Sequence, residues 1–268
     1  MWQILALVMT LMLAAGAQAS IDIDRISDEL RHYVDIHKGA PGVIVGIVDG
    51  EQQHILSYGI SGDMSAPELN EKTRFEIGSI TKTLTGALLA ELALSNDVAL
   101  NQSLGSILPT EYVPSNGLDN VTLEQLATHT SGLPKIPLTP ASVAKLLSTD
   151  PYRGTSSESV FSAATNMPQI FMDESKGMIY SNLGMALLGR LLEVQTGTKY
   201  EILLKERVLT PLGLNGFTFE HNKSDNGNQA VGHGIGGRPV PYWHVDGYAP
   251  AGGLQASMSD MMSYLVRL

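Results

Sequence analysis

The chain of 268 residues contains no cysteine. Disulfide bonds, a thiolate nucleophile and cysteine-ligated zinc sites are therefore excluded. The seven histidines show no metal-binding spacing such as H-E-x-x-H. We therefore expect neither a bound metal nor a cofactor.

The chain is also poor in positive charge. Lysine and arginine total 17 against 27 aspartate and glutamate residues, which gives a net charge of −10. This balance argues against nucleic acid or an anionic membrane surface as the main partner, and solubility is its simplest meaning. The length is sufficient for one domain of two lobes with a sizeable core.

Long hydrophobic runs are missing too. The segment from Ile4 to Ala15 is mostly apolar but too short to span a bilayer. It precedes a small-x-small site, Ala-Gln-Ala at residues 17–19, which is typical of signal-peptide cleavage. We expect residues 1–19 to be a signal peptide and residues 20–268 to form the mature domain, in the periplasm or secreted. No lysine or arginine precedes the apolar run, so an uncleaved membrane anchor is the alternative.

The most informative motif is the tetrapeptide Ser-Ile-Thr-Lys, from Ser79 to Lys82. Residues three apart share one face of a helix, with Cβ atoms about 5–6 Å apart. A serine hydroxyl needs a neighbouring base before it becomes a good nucleophile. A lysine that is desolvated tends toward the neutral amine, which can act as that base. The spacing therefore predicts a nucleophile and its base at the start of a helix.

A second tetrapeptide, from Ser142 to Lys145, fits the same S-x-x-K pattern. It follows Pro140 and is typical of the first turn of a surface helix. About one chance match is expected in a chain of this length, so the context has to decide. Ser79 follows a glycine and begins an apolar helix, and we therefore assign the nucleophile to Ser79.

The element order indicated by the pattern is a helix, a β-hairpin and a long helical lobe. The hairpin is predicted from the apolar run Gly42–Asp49, the Asp-Gly turn signal and the alternating run from Gln53 to Ile60. Capping boxes predict helices beginning at Thr122 and at Thr198. The run from Tyr248 to Leu254 is rich in glycine and alanine, and we expect it to be irregular. Two strands alone cannot bury both faces of a sheet, so the sheet looks incomplete.

Tyr180-Ser181-Asn182 is the single Y-x-N sequence in the chain. A tyrosine beside a lysine can shuttle protons to a leaving group. An asparagine amide beside it can hydrogen-bond both a lysine and a substrate carbonyl. Taken with Ser79 and Lys82, the motif indicates a catalytic site.

These motifs resemble the serine β-lactamase and penicillin-binding-protein superfamily, and most closely its class C-like branch. The resemblance implies an α/β fold of the β-lactamase/transpeptidase type, with an antiparallel sheet flanked by helices plus a helical lobe. It also implies that Ser79 is acylated, Lys82 accepts its proton, Tyr180 is the second acid/base and Asn182 orients the substrate. Further runs similar to the family begin at Leu126, Pro211, Gly252 and Ser259.

Two departures from the family pattern affect the expected activity. After Tyr180 the chain contains no K-T-G or H-x-G sequence, the third motif of the family, which lies on a strand beside the active site. The chain therefore looks truncated, without the last sheet strands and a second oxyanion-hole amide. In addition, the chain reads Ala-Gly-Gly from Ala251 where class C enzymes have a tyrosine, which favours peptides or esters over β-lactams.

A serine–histidine pair would instead indicate a triad hydrolase. No serine here lies in a G-x-S-x-G sequence, and His129 lies in a loop that we interpret as structural. The sequence therefore predicts a serine hydrolase that acts through an acyl-enzyme on β-lactams, D-amino-acid peptides or esters. The alternative is a relative that binds such small-molecule or peptide ligands without turnover. The oligomeric state is not predicted.

Overall fold

The computed structural model describes most of the chain after the predicted signal peptide, which lies outside the described residues. No helix within the described residues is long and apolar enough to cross a membrane. The described ranges are 21–62, 67–114, 117–137, 139–145, 148–167, 177–220, 228–234 and 237–267.

Helices dominate the described residues, and the strands are few and mostly short. The helices are α1 (Ile23–Asp35), α2 (Thr81–Leu94), α3 (Leu123–Ala127), α4 (Pro140–Lys145), α5 (Ser157–Thr165), α6 (Asn182–Thr196), α7 (Tyr200–Leu204), α8 (Ala249–Gly252) and α9 (Met258–Leu265). The strands are β1 (Gly42–Asp49), β2 (Gln52–Gly59), β3 (Arg74–Glu76) and β4 (Gln255–Ser257). Short 3₁₀ turns cover Gly78–Ile80, Leu104–Ser106, Leu118–Asn120 and Asp246–Tyr248.

The predicted hairpin is confirmed, because β1 and β2 pair antiparallel from Gly42↔Gly59 to Asp49↔Gln52. Gly50 in the turn has φ +58°, which glycine adopts without steric cost. Helices α1 and α9 both pack against this hairpin. A second small sheet pairs β3 with β4, joining segments about 180 residues apart in sequence. Neither β3 nor β4 was predicted from the sequence.

The core belongs to the helical lobe, where α2 and α6 pack together. Leu84, Leu88 and Leu92 of α2 are fully buried, as expected for one apolar face of a helix. Every residue of α6 from Leu183 to Leu192 is buried, so this helix is enclosed on all sides. Two helices anchored in this way give the residues at their N-termini a fixed relative position.

Two local predictions were wrong. The helix α7 has Lys199 at its N-cap and no side-chain cap, because the Thr198 hydroxyl turns back to the Thr196 carbonyl. The segment Tyr248–Leu254, predicted to be irregular, contains α8. The capping box at Thr122 is confirmed, with both of its hydrogen bonds formed.

Candidate active site

Ser79 lies in the 3₁₀ turn that leads directly into α2. Gly78 before it has φ +51°, and this left-handed conformation favours glycine. The turn is tied to the second sheet, because the Ile77 N–H donates to the Leu254 carbonyl at 3.0 Å. Among the residues that the structure describes, none accepts a hydrogen bond from the Ser79 N–H. The serine therefore has a free backbone donor next to its hydroxyl, as is usual at a helix start.

Lys82 lies one turn further along α2 and is nearly buried, with 8% of its surface exposed. Its Nζ atom donates to Ser79 Oγ at 3.0 Å and also to the Ala251 carbonyl. Burial lowers the pKa of Lys82, although hydrogen bonding and charge interaction with Tyr180 oppose the shift. The neutral amine is therefore more accessible at Lys82 than at an exposed lysine.

The Ala251 carbonyl is held in place by the helical core. Thr85 of α2 donates a hydrogen bond to the adjacent Pro250 carbonyl at 2.8 Å. Arg190 of α6, which is almost fully buried, donates to the Asp246 carbonyl at 2.6 Å. The short helix α8 is thus fixed to both long helices, and its carbonyl keeps Lys82 directed toward Ser79.

Tyr180 approaches Ser79 from a segment 101 residues further along the chain. Its hydroxyl donates to Ser79 Oγ at 2.6 Å, and Lys82 Nζ lies 5.0 Å from the centre of its ring. Partial burial raises the pKa of Tyr180, but hydrogen bonds with Lys82 and Ser79 and the charges of Lys82 and Lys135 outweigh it, so the pKa is lowered. The structure therefore brings Ser79, Lys82 and Tyr180 together around one oxygen atom.

His129 supports Tyr180 and makes no hydrogen bond to Ser79 within the described residues. Its ring lies 4.7 Å from the Tyr180 ring, and its Nδ1 accepts from the Ser181 N–H at 3.2 Å. Burial and the charge of Lys82 lower the pKa of His129, which favours the neutral ring. These contacts agree with the structural role predicted for this loop, because His129 packs against the Tyr180 ring and holds the next residue in place.

Asn182 is the first residue of α6, directly after the helix cap. Ser181 forms that cap, because its Oγ accepts from the Gly184 N–H at 2.8 Å. The Asn182 Nδ2 atom donates to the Tyr152 hydroxyl at 2.9 Å. Its Oδ1 atom is buried and has no hydrogen-bond partner among the described residues, so the contact expected with a lysine is not formed.

The Ser142 tetrapeptide forms no comparable cluster. The Ser142 hydroxyl pairs with Thr139 Oγ1 at 2.9 Å, and Lys145 Nζ donates to the Arg153 carbonyl at 3.1 Å. Both Lys145 and Thr139 are exposed. The structure therefore does not bring Ser142 and Lys145 together as it does Ser79 and Lys82.

Comparison with known proteins decides the family. The family model described as Beta-lactamase matches residues 23–268. The chain belongs to the Beta-lactamase family. Over 262 residues it is 27% identical to a β-lactamase of Providencia stuartii, covering 97% of this chain and 62% of that protein. Over 212 residues it is 30% identical to the D-alanyl-D-alanine-carboxypeptidase/endopeptidase AmpH of Escherichia coli K12, covering 75% and 50%.

Solved structures confirm the predicted fold of this Beta-lactamase-family chain. The octameric penicillin-binding protein homologue from Pyrococcus abyssi matches with a TM-score of 0.77 at 23% identity, covering 91% of this chain and 56% of that chain. A class C β-lactamase matches with a TM-score of 0.74 at 24% identity, covering 92% and 66%. This chain therefore spans about half to two thirds of the length of these relatives.

Other residues of this family member line the site and were not found from the sequence. A small cavity of about 50 Å³ beside Ser79 and Asn182 is lined by Tyr152, Trp243 and Tyr248 among others. These aromatic residues lie in or beside loops and belong to no recognisable motif. No group of three or more metal-ligating side chains occurs in the described part of the chain.

Proposed function

We propose that this chain is a serine hydrolase that forms an acyl-enzyme on Ser79, with β-lactams, D-amino-acid peptides or esters as its substrate class. One observation carries the proposal: Ser79 Oγ lies 3.0 Å from Lys82 Nζ and 2.6 Å from the Tyr180 hydroxyl. The names of the relatives, β-lactamase and D-alanyl-D-alanine-carboxypeptidase/endopeptidase, support this substrate class.

Activation of Ser79 requires the Lys82–Tyr180 pair to lose one proton. When both groups are protonated, each donates to Ser79 Oγ, and the serine proton has no acceptor. Loss of one proton from the pair creates a base within hydrogen-bonding distance of the hydroxyl. The lowered pKa values of Lys82 and Tyr180 both favour this state.

Acylation then follows from the geometry. Ser79 Oγ forms a bond to the substrate carbonyl carbon while its proton passes to Lys82, and the Ser79 N–H stabilises the oxyanion. Tyr180 delivers a proton to the leaving nitrogen or oxygen as its bond to the carbonyl carbon breaks. A water molecule then attacks the ester, and its proton restores the Ser79 hydroxyl.

Asn182 is proposed to orient the substrate through its side-chain amide, because the residue lines the small cavity beside Ser79. We also propose that residues 1–19 are a signal peptide and that the domain of residues 20–268 works in the periplasm or outside the cell. The apolar run and the Ala-Gln-Ala site support this. The mass of the exported protein tests it, because cleavage predicts a chain that begins near Ser20.

The decisive experiment is intact-mass measurement after incubation with benzylpenicillin or an activated ester, followed by tryptic mapping. Trypsin places Ser79 in the peptide of residues 75–82 and Ser142 in the peptide of residues 136–145. We expect a single acyl group on the first peptide. A folded protein that neither hydrolyses nor is acylated by either reagent, or that is acylated on the second peptide, would contradict the proposal. A permanent adduct without turnover would support the alternative of a binding protein.

A further inference from the structure

Tyr200 is a fully buried tyrosine that the proposed reaction does not use. It is the first residue of α7, and none of its surface is exposed. Its hydroxyl lies 2.7 Å from Thr85 Oγ1 and hydrogen-bonds no other described residue. A buried hydroxyl costs free energy unless it is hydrogen-bonded, so packing alone would be served as well by phenylalanine. The Tyr200 hydroxyl therefore indicates a task beyond filling the core.

The direction of the hydrogen bonds around Thr85 follows from counting protons. Thr85 has one hydroxyl proton, and the Pro250 carbonyl at 2.8 Å is a nearer acceptor than the Thr81 carbonyl at 3.2 Å. If Thr85 gave this proton to Tyr200, the tyrosine proton would have no acceptor within the described residues. Tyr200 therefore donates to Thr85, and Thr85 donates to Pro250. Burial raises the pKa of Tyr200, so this donor remains protonated.

This chain of hydrogen bonds ends beside the acceptor of Lys82. Thr85 holds the carbonyl of the residue before Ala251, and Lys82 Nζ donates to the Ala251 carbonyl itself. At the other end of the same segment, Thr81 Oγ1 accepts from the Leu254 N–H at 3.2 Å. Thr81 and Thr85 are both fully buried. They therefore fix α8 and the residues after it against α2, on both sides of Lys82 in the sequence.

We propose that Tyr200 is a positioning residue for Lys82, acting through Thr85 and α8. The inference rests on the proposed role of Lys82 as the base for Ser79. The amine serves as that base only while it is directed at Ser79 Oγ, and the Ala251 carbonyl sets its direction. A misplacement of about 1 Å in such a geometry can lower a rate about 100-fold. Helix α7 thus contributes to catalysis although its described residues do not line the cavity beside Ser79.

A second tyrosine–threonine pair on α2 provides a matched control. Tyr264 of α9 donates to Thr83 Oγ1, also at 2.7 Å, and Thr83 donates to the Ile80 carbonyl. This pair ends on the backbone that leads into α2 and not on α8. Tyr200→Phe and Tyr264→Phe each remove one oxygen atom and one hydrogen bond to the same helix. Both should lower the melting temperature, so a purely structural role would affect the two variants alike.

Stopped-flow acylation by p-nitrophenyl acetate separates binding of the ester from the acylation step. We expect Tyr200→Phe to lower the acylation rate constant about 10-fold and to leave the dissociation constant of the ester unchanged, because only the base is displaced. Tyr264→Phe should change the rate constant by less than about twofold. Equal losses of rate in both variants, or no loss in Tyr200→Phe, would overturn the inference.

Variants of Thr85 test whether Tyr200 acts through this residue. Thr85→Val removes the hydroxyl and keeps the shape, so it should slow acylation at least as much as Tyr200→Phe. Combining the two changes should slow acylation little further, because both interrupt one chain of hydrogen bonds. Thr85→Ser retains the hydroxyl and should retain most of the rate. Strictly additive effects of Tyr200→Phe and Thr85→Val would overturn the inference.

An NMR titration tests the positioning of Lys82 without catalysis. Lysine labelled with ¹³C at Cε reports its own protonation, and Lys82→Met identifies the resonance of Lys82. A carbonyl acceptor stabilises the charged ammonium, so loosening it in Tyr200→Phe should lower the pKa of Lys82, whereas Tyr264→Phe should not. An unchanged midpoint in Tyr200→Phe, or the same change in both variants, would overturn the inference. A selective shift in a protein that neither hydrolyses nor is acylated by the ester would support the positioning and contradict the proposed function.

Discussion

Two tetrapeptides of this chain have the same S-x-x-K pattern and entirely different surroundings. Lys82 is almost buried and donates to Ser79 Oγ at 3.0 Å, with a tyrosine hydroxyl on the same oxygen. Lys145 is exposed and donates to a backbone carbonyl, while Ser142 pairs with a threonine. The equal spacing therefore places a serine and a lysine on one helix face in both tetrapeptides. Only Ser79 and Lys82 hydrogen-bond to each other.

The neighbouring elements explain the difference. The helix that Ser79 precedes has fourteen residues, and its leucines are fixed in the core of the helical lobe. The helix of Ser142 has six residues. Burial desolvates Lys82 and lowers its pKa, whereas an exposed ammonium remains hydrated. The motif sets the serine–lysine spacing, whereas the packing of the surrounding residues buries Lys82 and lowers its pKa.

The serines give the largest expected contrast. Ser79→Ala should abolish acylation by benzylpenicillin or an activated ester and lower turnover about 10⁴-fold or more, because the nucleophile is lost. Ser142→Ala, the matched control, should leave both unchanged. Intact mass and initial rates measure the two effects. An inactive Ser142→Ala protein with a normal melting temperature would reverse the assignment.

The lysines give the next contrast, and it depends on pH. Lys82→Met should lower kcat/KM about 10²- to 10⁴-fold by removing the base, and Lys145→Met should have no effect. Because the neutral amine is the active form, the wild-type rate should rise with pH. Because burial lowers the pKa of Lys82, the midpoint of this rise should lie at a pH below 10.5, the ordinary pKa of a lysine. A pH profile with the same rising limb in Lys82→Met would contradict the role of Lys82.

Tyr180→Phe should have a smaller effect on rate, about 10²-fold, because it removes the proton relay but leaves the nucleophile and Lys82. Interactions with Tyr180 raise the pKa of Lys82. Their loss should therefore move the rising limb of the rate profile to lower pH. Tyr33→Phe is the control. If the rate of Tyr180→Phe rises at the same pH as that of the wild type, Tyr180 and Lys82 do not share a proton.

Thr139→Ala should have the smallest effect and should act on stability alone. Thr139 Oγ1 accepts from the Ser142 N–H at 3.1 Å at the start of α4. Losing this cap should cost at most about 1 kcal/mol of the free energy of unfolding. Thermal unfolding measures the cost, and the acylation rate should remain that of the wild type. A slower acylation would show that the second tetrapeptide contributes to function.

Local patterns predicted the parts of the fold that local chemistry determines. The Asp-Gly signal at Gly50 and the alternating run beyond it were sufficient for the hairpin, which is confirmed. The capping box at Thr122 was equally reliable. At Thr198 the same pattern failed: Lys199 is the N-cap, and the Thr198 hydroxyl lies 3.5 Å from the Thr196 carbonyl. The S/T-x-x-E spacing alone therefore did not fix the first residue of this helix.

Long-range pairings were not predictable from local patterns. The strands β3 and β4 have three residues each and pair across most of the chain, so neither carries its own periodic signal. The proximity of Tyr180 to Ser79 was implied by the family resemblance, not by spacing. The positions of Tyr152 and Trp243 depend on loop contacts through Asp150 and His244, and no sequence pattern encodes those contacts.

The packing of α8 on α6 has a consequence for thermostabilisation. Replacing a helical glycine by alanine usually stabilises a protein, by about 0.5–1 kcal/mol. Gly86 of α2 is open to this change, because an added methyl group would meet no atom there. At Gly189 of α6 the same methyl group would overlap the Pro250 ring, next to the Ala251 carbonyl that directs Lys82. Alanine at Gly189 would therefore displace Pro250 and the carbonyl that holds Lys82, so protein engineering should begin at Gly86 and leave Gly189 unchanged.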